Sequence, residues 1–352
     1  MWEIEADYCQ YERVSVRICS WNVAAQNPFD CNDLKVIKKW LGFDRADTSS
    51  DLLVISLQEI VDLNARTLIQ GGNSSNNNET RSVDRWIKLI QKVIPEAYKL
   101  VHSSEMVGLA LIVFSRDALR ANLSSVADAS VKTGLGGLHG NKGALVWRAL
   151  IHDCPVAFVA CHLAAGQNGV SERNNDAATI LRTAVLSEAT ASRKDPFVFF
   201  TGNTGTRIFD HSAVFIAGDL NYRIEMDRRE CLDKISSGRI DELKESDQLS
   251  QQMKKRELLL SYFAEKSPEF LPTYKYDRGT IDQFDSSEKA RVPSWCDRIL
   301  FYSKSGQIIQ SKEYESIPEA VLSDHKPIHA TFEIKCRKIN QQARENILRN
   351  FK

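Results

Sequence analysis

The chain has no excess of charge of either sign. Among its 352 residues, 46 Lys and Arg balance 46 Asp and Glu, so the formal net charge is zero. No overall field would hold such a chain on nucleic acid or on an anionic membrane, and we expect no nucleic-acid partner. Any affinity for anions must come from a local cluster of donors.

The sequence also lacks the cysteine spacing of a metal site and the apolar run of a membrane span. Its eight Cys include no C-x-x-C pair, which fits reduced core thiols in a cytoplasmic protein. No stretch approaches the roughly 20 apolar residues of a spanning helix, and residues 1–7 do not resemble a signal peptide. Any contact with a membrane is therefore expected to be peripheral.

Short apolar runs recur, and several are apolar at nearly every position, as in strands covered on both faces. The predicted strands are residues 14–20, 52–57, 107–115, 143–150, 156–161, 213–217, 298–302 and 328–334. Helical spacing is found at 33–41, at 82–94 with Ser82 as the cap, at 174–189 and over much of 241–266. Because strands and helices mix without strict alternation, the sequence predicts an α/β sandwich of mixed sheets.

We expect a single catalytic domain over residues 1–352. Its core is predicted over about 14–334, followed by a helical tail over 335–352. The polar segments 70–80 and 202–207 are predicted to be loops, because they cannot bury much surface. Neither looks like a domain boundary, since strand-like runs continue on both sides.

Four polar residues follow apolar strands at similar positions: Asn22, Glu59, His162 and Asp219. Polar groups at the ends of buried strands can converge at one rim of a sandwich, where catalytic groups are commonly held. Glu59 and Asn22 offer hard oxygen ligands, which suit Mg²⁺ with waters and a substrate phosphate completing its octahedron. The set predicts a metal-dependent phosphoesterase.

The remaining groups fit the attack of a water on phosphorus. Asp219 is suited to act as base or orienter of that water, and Asn221 to hold either the water or a phosphoryl oxygen. His325 would present a proton or positive charge if its other ring nitrogen is paired with a carboxylate. The residues leave that carboxylate open between Asp324 and Asp297, although alternation along a strand favours Asp297.

Seven motifs run in one order from about residue 14 to 332. They are Ser20-Trp21-Asn22-Val23, Gln58-Glu59, Gly140-Asn141-Lys142-Gly143, His162-Leu163, Gly218-Asp219-Leu220-Asn221-Tyr222-Arg223, Arg291-Val292-Pro293-Ser294-Trp295-Cys296-Asp297-Arg298-Ile299-Leu300 and Ser323-Asp324-His325-Lys326-Pro327. Together they resemble the inositol polyphosphate 5-phosphatases, which are phosphoric monoester hydrolases. The resemblance implies the deoxyribonuclease-I-like endonuclease/exonuclease/phosphatase fold: a four-layer α/β sandwich, with two mixed β-sheets flanked by helices and Mg²⁺ as cofactor.

Carried over residue by residue, the resemblance assigns each group a role. It implies that Asn22, Glu59 and Asp324 lie at the metal and that His162 contacts the scissile phosphate. It also implies that Asp219 and Asn221 position the water while Asp297 pairs with His325. The catalytic set it implies is therefore His162, Asp219, Asn221, Asp297 and His325.

Substrate recognition has separate candidates. Tyr274, Lys275, Lys289 and Arg291 resemble the family segment that grips the 4-phosphate of the inositol ring, and Lys142 could approach other ring phosphates. The expected activity is hydrolysis of the 5-phosphate of phosphatidylinositol 4,5-bisphosphate, or of related lipids or soluble inositol phosphates. The expected enzyme is a monomer that meets the anionic membrane surface peripherally.

Two alternatives compete with this interpretation. A phosphodiesterase of the same fold would act on abasic DNA or sphingomyelin, but the motif over residues 291–300 argues against it. A catalytically silent phosphoinositide-binding module should have lost metal-binding or water-positioning groups. None of these groups is missing from the sequence.

Overall fold

The computed structural model describes residues 7–31, 33–45, 50–62, 81–134, 136–137, 139–186, 206–305 and 308–350. The strands in these ranges are β1 (Cys9–Asn22), β2 (Leu52–Gln58), β3 (Tyr98–Met106), β4 (Leu109–Arg116), β5 (Leu123–Gly134), β6 (His139–Ile151), β7 (Cys154–His162), β8 (Ala213–Asp219), β9 (Asp297–Ser303), β10 (Ile309–Ser316) and β11 (Ile328–Ile339). They form one sheet of order β10-β11-β1-β2-β4-β3 and a second of order β5-β6-β7-β8-β9. Both sheets are mixed, because β1 and β2 run parallel in the first and β7 and β8 in the second.

Helices cover the outer faces of both sheets. They are α1 (Leu34–Leu41), α2 (Ser82–Gln91), α3 (Asp117–Arg120), α4 (Val170–Thr183), α5 (Arg228–Ser236), α6 (Ile240–Glu245), α7 (Gln248–Met253) and α8 (Gln341–Asn350), with 3-10 turns at Pro28–Asp30, Ile208–Asp210 and Leu259–Tyr262. The predicted four-layer α/β sandwich is confirmed. No helix in the described ranges combines the length and apolarity needed to cross a bilayer.

The largest core lies between the two sheets. Trp147, Phe158, Phe215 and Phe332 stack through it, with successive ring centroids 5.8, 5.3 and 5.0 Å apart. A second core fills the space between the first sheet and the helices α1 and α2, and a third lies under α4 on the second sheet. Since both faces of the central strands are covered, every side chain of β2, β7 and β8 is buried.

Helix ends show where tertiary contacts replace local signals. Asp33 caps α1 through a bond to the Lys35 N–H, as its sequence indicates. Ser82 does not cap α2, however, because it lies inside the helix after Arg81. The Val83 N–H is satisfied instead by Glu105 Oε2 of β3, at 3.2 Å.

Several predicted boundaries are wrong. β1 and β11 pair from Cys9↔Ile339 onward, so the core extends beyond 14–334 at both ends and the tail becomes helical only at Gln341. Residues 107–108 form the turn between β3 and β4, with positive φ at both positions, rather than the start of a strand. The helix predicted over 241–266 is broken into α6, α7 and a 3-10 turn. Residues 70–80, 187–189 and 202–205 lie outside the described ranges.

None of the eight Cys, all of which lie in the described ranges, forms a disulfide. Every one except Cys31 is buried, so they pack as small apolar side chains.

Candidate active site

The two parallel strand pairs bring their carboxyl ends together. Asn22 ends β1 and Glu59 follows β2, whereas His162 ends β7 beside Asp219 at the end of β8. Asn22 Nδ2 donates to Asp219 Oδ2 at 2.9 Å and to Glu59 Oε1 at 3.2 Å. One amide therefore joins the carboxyl ends of the two parallel strand pairs.

Cationic and neutral donors surround the Asp219 carboxylate. His162 Nε2 lies 3.4 Å from Asp219 Oδ2 and 3.8 Å from Glu59 Oε1, and Lys142 Nζ contacts the same ring nitrogen. Burial alone would raise the pKa of Asp219, but the His162 hydrogen bond and the charges of His325 and Lys142 hold it well below its ordinary value. Asp219 is therefore an ionised acceptor at neutral pH.

Asn221 adopts a left-handed backbone conformation, with φ 56°. Its N–H donates to Asp219 Oδ1 at 3.0 Å and its Nδ2 donates to the Leu163 carbonyl at 3.1 Å. Its Oδ1 accepts from Arg223 at 2.6 Å. The amide oxygen is already engaged, but Nδ2 carries a second hydrogen. Asn221 can therefore donate a hydrogen bond from Nδ2 to a ligand.

His325 is held by Asp297. His325 Nδ1 lies 2.9 Å from Asp297 Oδ2, which also accepts from the Thr273 hydroxyl at 2.6 Å. The other ring nitrogen, Nε2, lies 3.9 Å from Asp219 Oδ2. Burial alone would lower the pKa of His325, but the carboxylates of Asp297, Asp219 and Asp324 outweigh it and raise the pKa to about 9.

Asp324 pairs with a different residue. Its Oδ2 lies 3.0 Å from Lys275 Nζ, whereas Asp297 Oδ2 lies 2.9 Å from His325 Nδ1, so Asp297 rather than Asp324 is the carboxylate bonded to the imidazole. Burial raises the pKa of Asp324, but His325 and Lys275 bring it below the ordinary value. The adjacent Ser323 hydroxyl donates to the Asn22 carbonyl at 2.7 Å and ties this loop to β1.

Three of the predicted phosphate-binding residues, Tyr274, Lys275 and Lys142, contact the groups of this site. The Tyr274 ring packs against the His325 ring at a tilt of 39°, with centroids 4.5 Å apart. The loop that carries the exposed Lys289 and the half-buried Arg291 is anchored by Asp285, which donates its N–H to the Lys275 carbonyl and accepts from the Arg291 N–H. Lys142 is drawn to His162, and burial lowers the pKa of its ammonium despite the nearby carboxylates of Asp219 and Glu59.

The residues fit a hard divalent cation at Glu59. No three His, Cys, Asp or Glu side chains converge as metal ligands in the part of the chain that the structure describes. Mg²⁺ needs only one or two protein carboxylates, because waters and substrate phosphate supply its other ligands. Asn22 Oδ1 accepts from the Ala24 N–H, so Asn22 orients the carboxylates with its NH₂ group while the partly exposed Glu59 keeps oxygens for a cation.

Comparison with known proteins identifies the family. The family model described as Endonuclease/Exonuclease/phosphatase family 2 matches residues 19–331. The chain belongs to this family.

Two of the relatives carry the name of a 5-phosphatase. A probable inositol polyphosphate 5-phosphatase of Schizosaccharomyces pombe is 37% identical over 96% of this chain and 30% of its own length. A phosphatidylinositol 4,5-bisphosphate 5-phosphatase of Saccharomyces cerevisiae is 30% identical over 98% of this chain and 34% of its own length. The chain thus spans about a third of the length of these relatives.

A solved structure is similar throughout the chain. The inositol polyphosphate 5-phosphatase domain of SPsynaptojanin, in complex with inositol (1,4)-bisphosphate and a calcium ion, matches with a TM-score of 0.81 and 28% identity. The match covers 99% of this chain and 92% of that domain. The resemblance to inositol polyphosphate 5-phosphatase catalytic domains predicted from the motifs is confirmed, and the related domain contains a divalent metal.

Sequence reasoning missed several residues that hold this site. Thr273 directly precedes the predicted phosphate-binding residue Tyr274, and its buried hydroxyl donates to Asp297. Trp21 Nε1 donates to the His325 carbonyl at 3.0 Å across 304 residues of sequence, so no local pattern could reveal the contact. Arg223 ends the predicted motif of residues 218–223 without an expected role, yet it donates to Asn221 Oδ1 at 2.6 Å.

Proposed function

We propose that this chain is a Mg²⁺-dependent phosphatase that removes the 5-phosphate of phosphatidylinositol 4,5-bisphosphate, and of related lipids or soluble inositol phosphates. The observation that carries the proposal is the convergence of Asn22, His162 and His325 on Asp219 Oδ2, within 4 Å. Inositol (1,4)-bisphosphate, the ligand of the related domain, is what remains when a 1,4,5-trisphosphate loses its 5-phosphate.

In this proposal Asp219 and Asn221 position the attacking water. A carboxylate with a lowered pKa is a weak base, so Asp219 acts mainly by accepting a hydrogen bond from the water and aiming its lone pair. The second N–H of Asn221 Nδ2 holds the water or a phosphoryl oxygen. Attack then proceeds in line with the departing ring oxygen.

Charge on the phosphoryl group is met by three donors. His162 and Lys142 lie beside Asp219 and contact the scissile phosphate, while the imidazolium of His325, oriented by Asp297, faces the developing charge. Glu59, oriented by Asn22 and assisted by Asp324, would hold a divalent cation, which would neutralise phosphate charge. Electrostatic stabilisation by one such donor is worth about 10² to 10³ in kcat.

The inositol ring is held by its 4-phosphate. Tyr274, Lys275, Lys289 and Arg291 supply a hydroxyl and cationic donors for it. The chain acts as one monomeric domain at the cytoplasmic face of anionic membranes, with peripheral contact and no nucleic-acid substrate.

Phosphate release from three substrates tests the function. Vesicles containing phosphatidylinositol 4,5-bisphosphate and soluble inositol 1,4,5-trisphosphate should release phosphate with Mg²⁺, whereas inositol 1,4-bisphosphate should not. Asp219→Asn and His325→Gln should reduce kcat at least about 100-fold. His102→Gln, a partly buried histidine on β3, is the matched control and should retain wild-type turnover. Turnover of inositol 1,4-bisphosphate, or full activity of Asp219→Asn, would contradict the proposal.

A further inference from the structure

Arg223 is a buried cation without a carboxylate partner. Its side chain lies within the site and is 4% exposed as a residue, yet no ion pair to Asp or Glu forms among the described residues. Arg298 shows the usual arrangement for a buried guanidinium, since it donates to Asp247 at 2.9 Å and to Glu265 at 2.5 Å. The charge of Arg223 is therefore not used to stabilise an internal ion pair.

Two hydrogen bonds join Arg223 to Asn221. Its Nε donates to the Asn221 carbonyl at 3.0 Å, and its NH2 nitrogen donates to Asn221 Oδ1 at 2.6 Å. The first bond holds the left-handed backbone of Asn221, and the second fixes the side-chain amide with its NH₂ group towards Leu163 and the site. Without the guanidinium, the amide could rotate by half a turn and present its oxygen instead.

The same guanidinium lies over the Tyr274 ring, with its central carbon 4.5 Å from the ring centroid. This is a cation–π contact in a buried setting, where such contacts are strongest. Tyr274 in turn packs against the His325 ring. Arg223 thus contacts the proposed water-holding amide and the proposed phosphate-gripping ring at once.

We propose that Arg223 is a positioning residue that couples recognition of the 4-phosphate at Tyr274 to the orientation of the Asn221 amide. A 4-phosphate that fixes the Tyr274 ring also fixes the guanidinium packed on it, and the guanidinium holds Asn221. Substrates with a 4-phosphate then gain in kcat as well as in binding. This inference rests on the proposed phosphatase function.

The test compares soluble inositol 1,4,5-trisphosphate with inositol 1,5-bisphosphate, which lacks the 4-phosphate. Arg223→Lys keeps the charge but loses the planar pair of donors and the stacking surface. We expect kcat on the trisphosphate to fall roughly 30-fold or more with KM changed less than about 3-fold, while kcat on the bisphosphate falls much less. Wild-type preference in kcat for the 4-phosphorylated substrate should thus be largely lost.

Arg17→Lys is the matched control. Arg17 is also 4% exposed, but it donates to the Trp40 and Lys39 carbonyls, away from the site. The Arg17→Lys variant should have a lower free energy of unfolding but the same preference in kcat between the two substrates. If Arg223→Lys loses kcat equally on both substrates, or no more than Arg17→Lys does, the coupling is wrong.

Tyr274→Leu keeps the test decisive if Arg223→Lys does not fold. This variant removes the ring but leaves both Arg223–Asn221 bonds, and it should also abolish the kcat preference. The double variant, where it folds, should show no further loss. A retained preference in Tyr274→Leu would overturn the inference. If the wild-type chain releases phosphate from neither substrate, the proposed function is wrong, and the inference falls with it.

Discussion

Replacing Gly218 by Ala should damage both stability and catalysis. Gly218 lies on β8 directly before Asp219 and pairs with Cys161 of the parallel neighbour β7. A Cβ at this position would stand 1.9 Å from the Cys161 carbonyl oxygen and 2.8 Å from its carbonyl carbon. Both contacts are with backbone, so no side chain can rotate away.

The magnitude follows from the distances. An ordinary Cβ contact requires about 3 Å or more, so β7 and β8 must separate by about 1 Å at this point. Overpacking of this kind costs about 1 to 3 kcal/mol, and the φ of +156° adds strain for a residue with a Cβ. Because His162 and Asp219 end these two strands, a displacement of about 1 Å should also reduce kcat roughly 100-fold.

Urea unfolding and steady-state phosphate release measure the two effects. Gly238→Ala is the control, because Gly238 also has positive φ (71°) but nothing lies within 4 Å of its added Cβ. It reports the cost of backbone conformation alone and should leave kcat unchanged. A Gly218→Ala variant that matches Gly238→Ala in stability and the wild type in kcat would refute this reasoning.

Three other variants test separate parts of the structure. Asp297→Asn removes the carboxylate that orients His325 and should lower kcat about 10² to 10⁴-fold with little change in KM, as measured by single-turnover release of phosphate. Arg298→Met leaves two buried carboxylates unpaired and should reduce the free energy of unfolding by about 3 to 5 kcal/mol in urea titrations, whereas a loss below 1 kcal/mol would contradict the ion-pair argument. Burial, with Arg17 and Lys39 nearby, lowers the pKa of His329 from 6.5 to about 2. As the pH falls below 6.5, His329 therefore takes up its proton in the unfolded chain before it does so in the folded chain. The free energy of unfolding then decreases by about 1.4 kcal/mol per pH unit. In His329→Leu, the midpoint of urea unfolding should depend less steeply on pH in this range.

The central strands could be predicted because their environment leaves a strong pattern. β2, β7 and β8 are buried on both faces, so their sequences are nearly continuous apolar runs. The strands β3, β5 and β10 were missed. They lie at sheet edges and expose polar side chains, which makes their composition resemble that of loops.

Residues of the candidate site could be predicted from the sequence at the ends of buried strands but not in the loops. The convergence of Asn22, Glu59, His162 and Asp219 could be predicted because each ends or directly follows a buried strand, where a polar residue is conspicuous. Thr273 could not, since its partner Asp297 is 24 residues away and a buried Thr has no distinctive sequence pattern. Positions before and after strands are visible in a sequence, whereas hydrogen bonds between loops depend on how those loops are packed.

The sheet topology explains why the candidate site lies at the carboxyl ends of the parallel strands. Adjacent antiparallel strands have their carboxyl ends at opposite ends of the strands. Among neighbouring strands, only a parallel pair brings two carboxyl ends together. Each sheet here has one parallel pair among its neighbouring strands, β1 with β2 and β7 with β8. The Asn22–Asp219 hydrogen bond joins these two pairs across the interface between the sheets. Anything that shifts one sheet against the other therefore separates Glu59 from Asp219, so we expect the aromatic core between the sheets to be needed for the proposed catalysis as well as for stability.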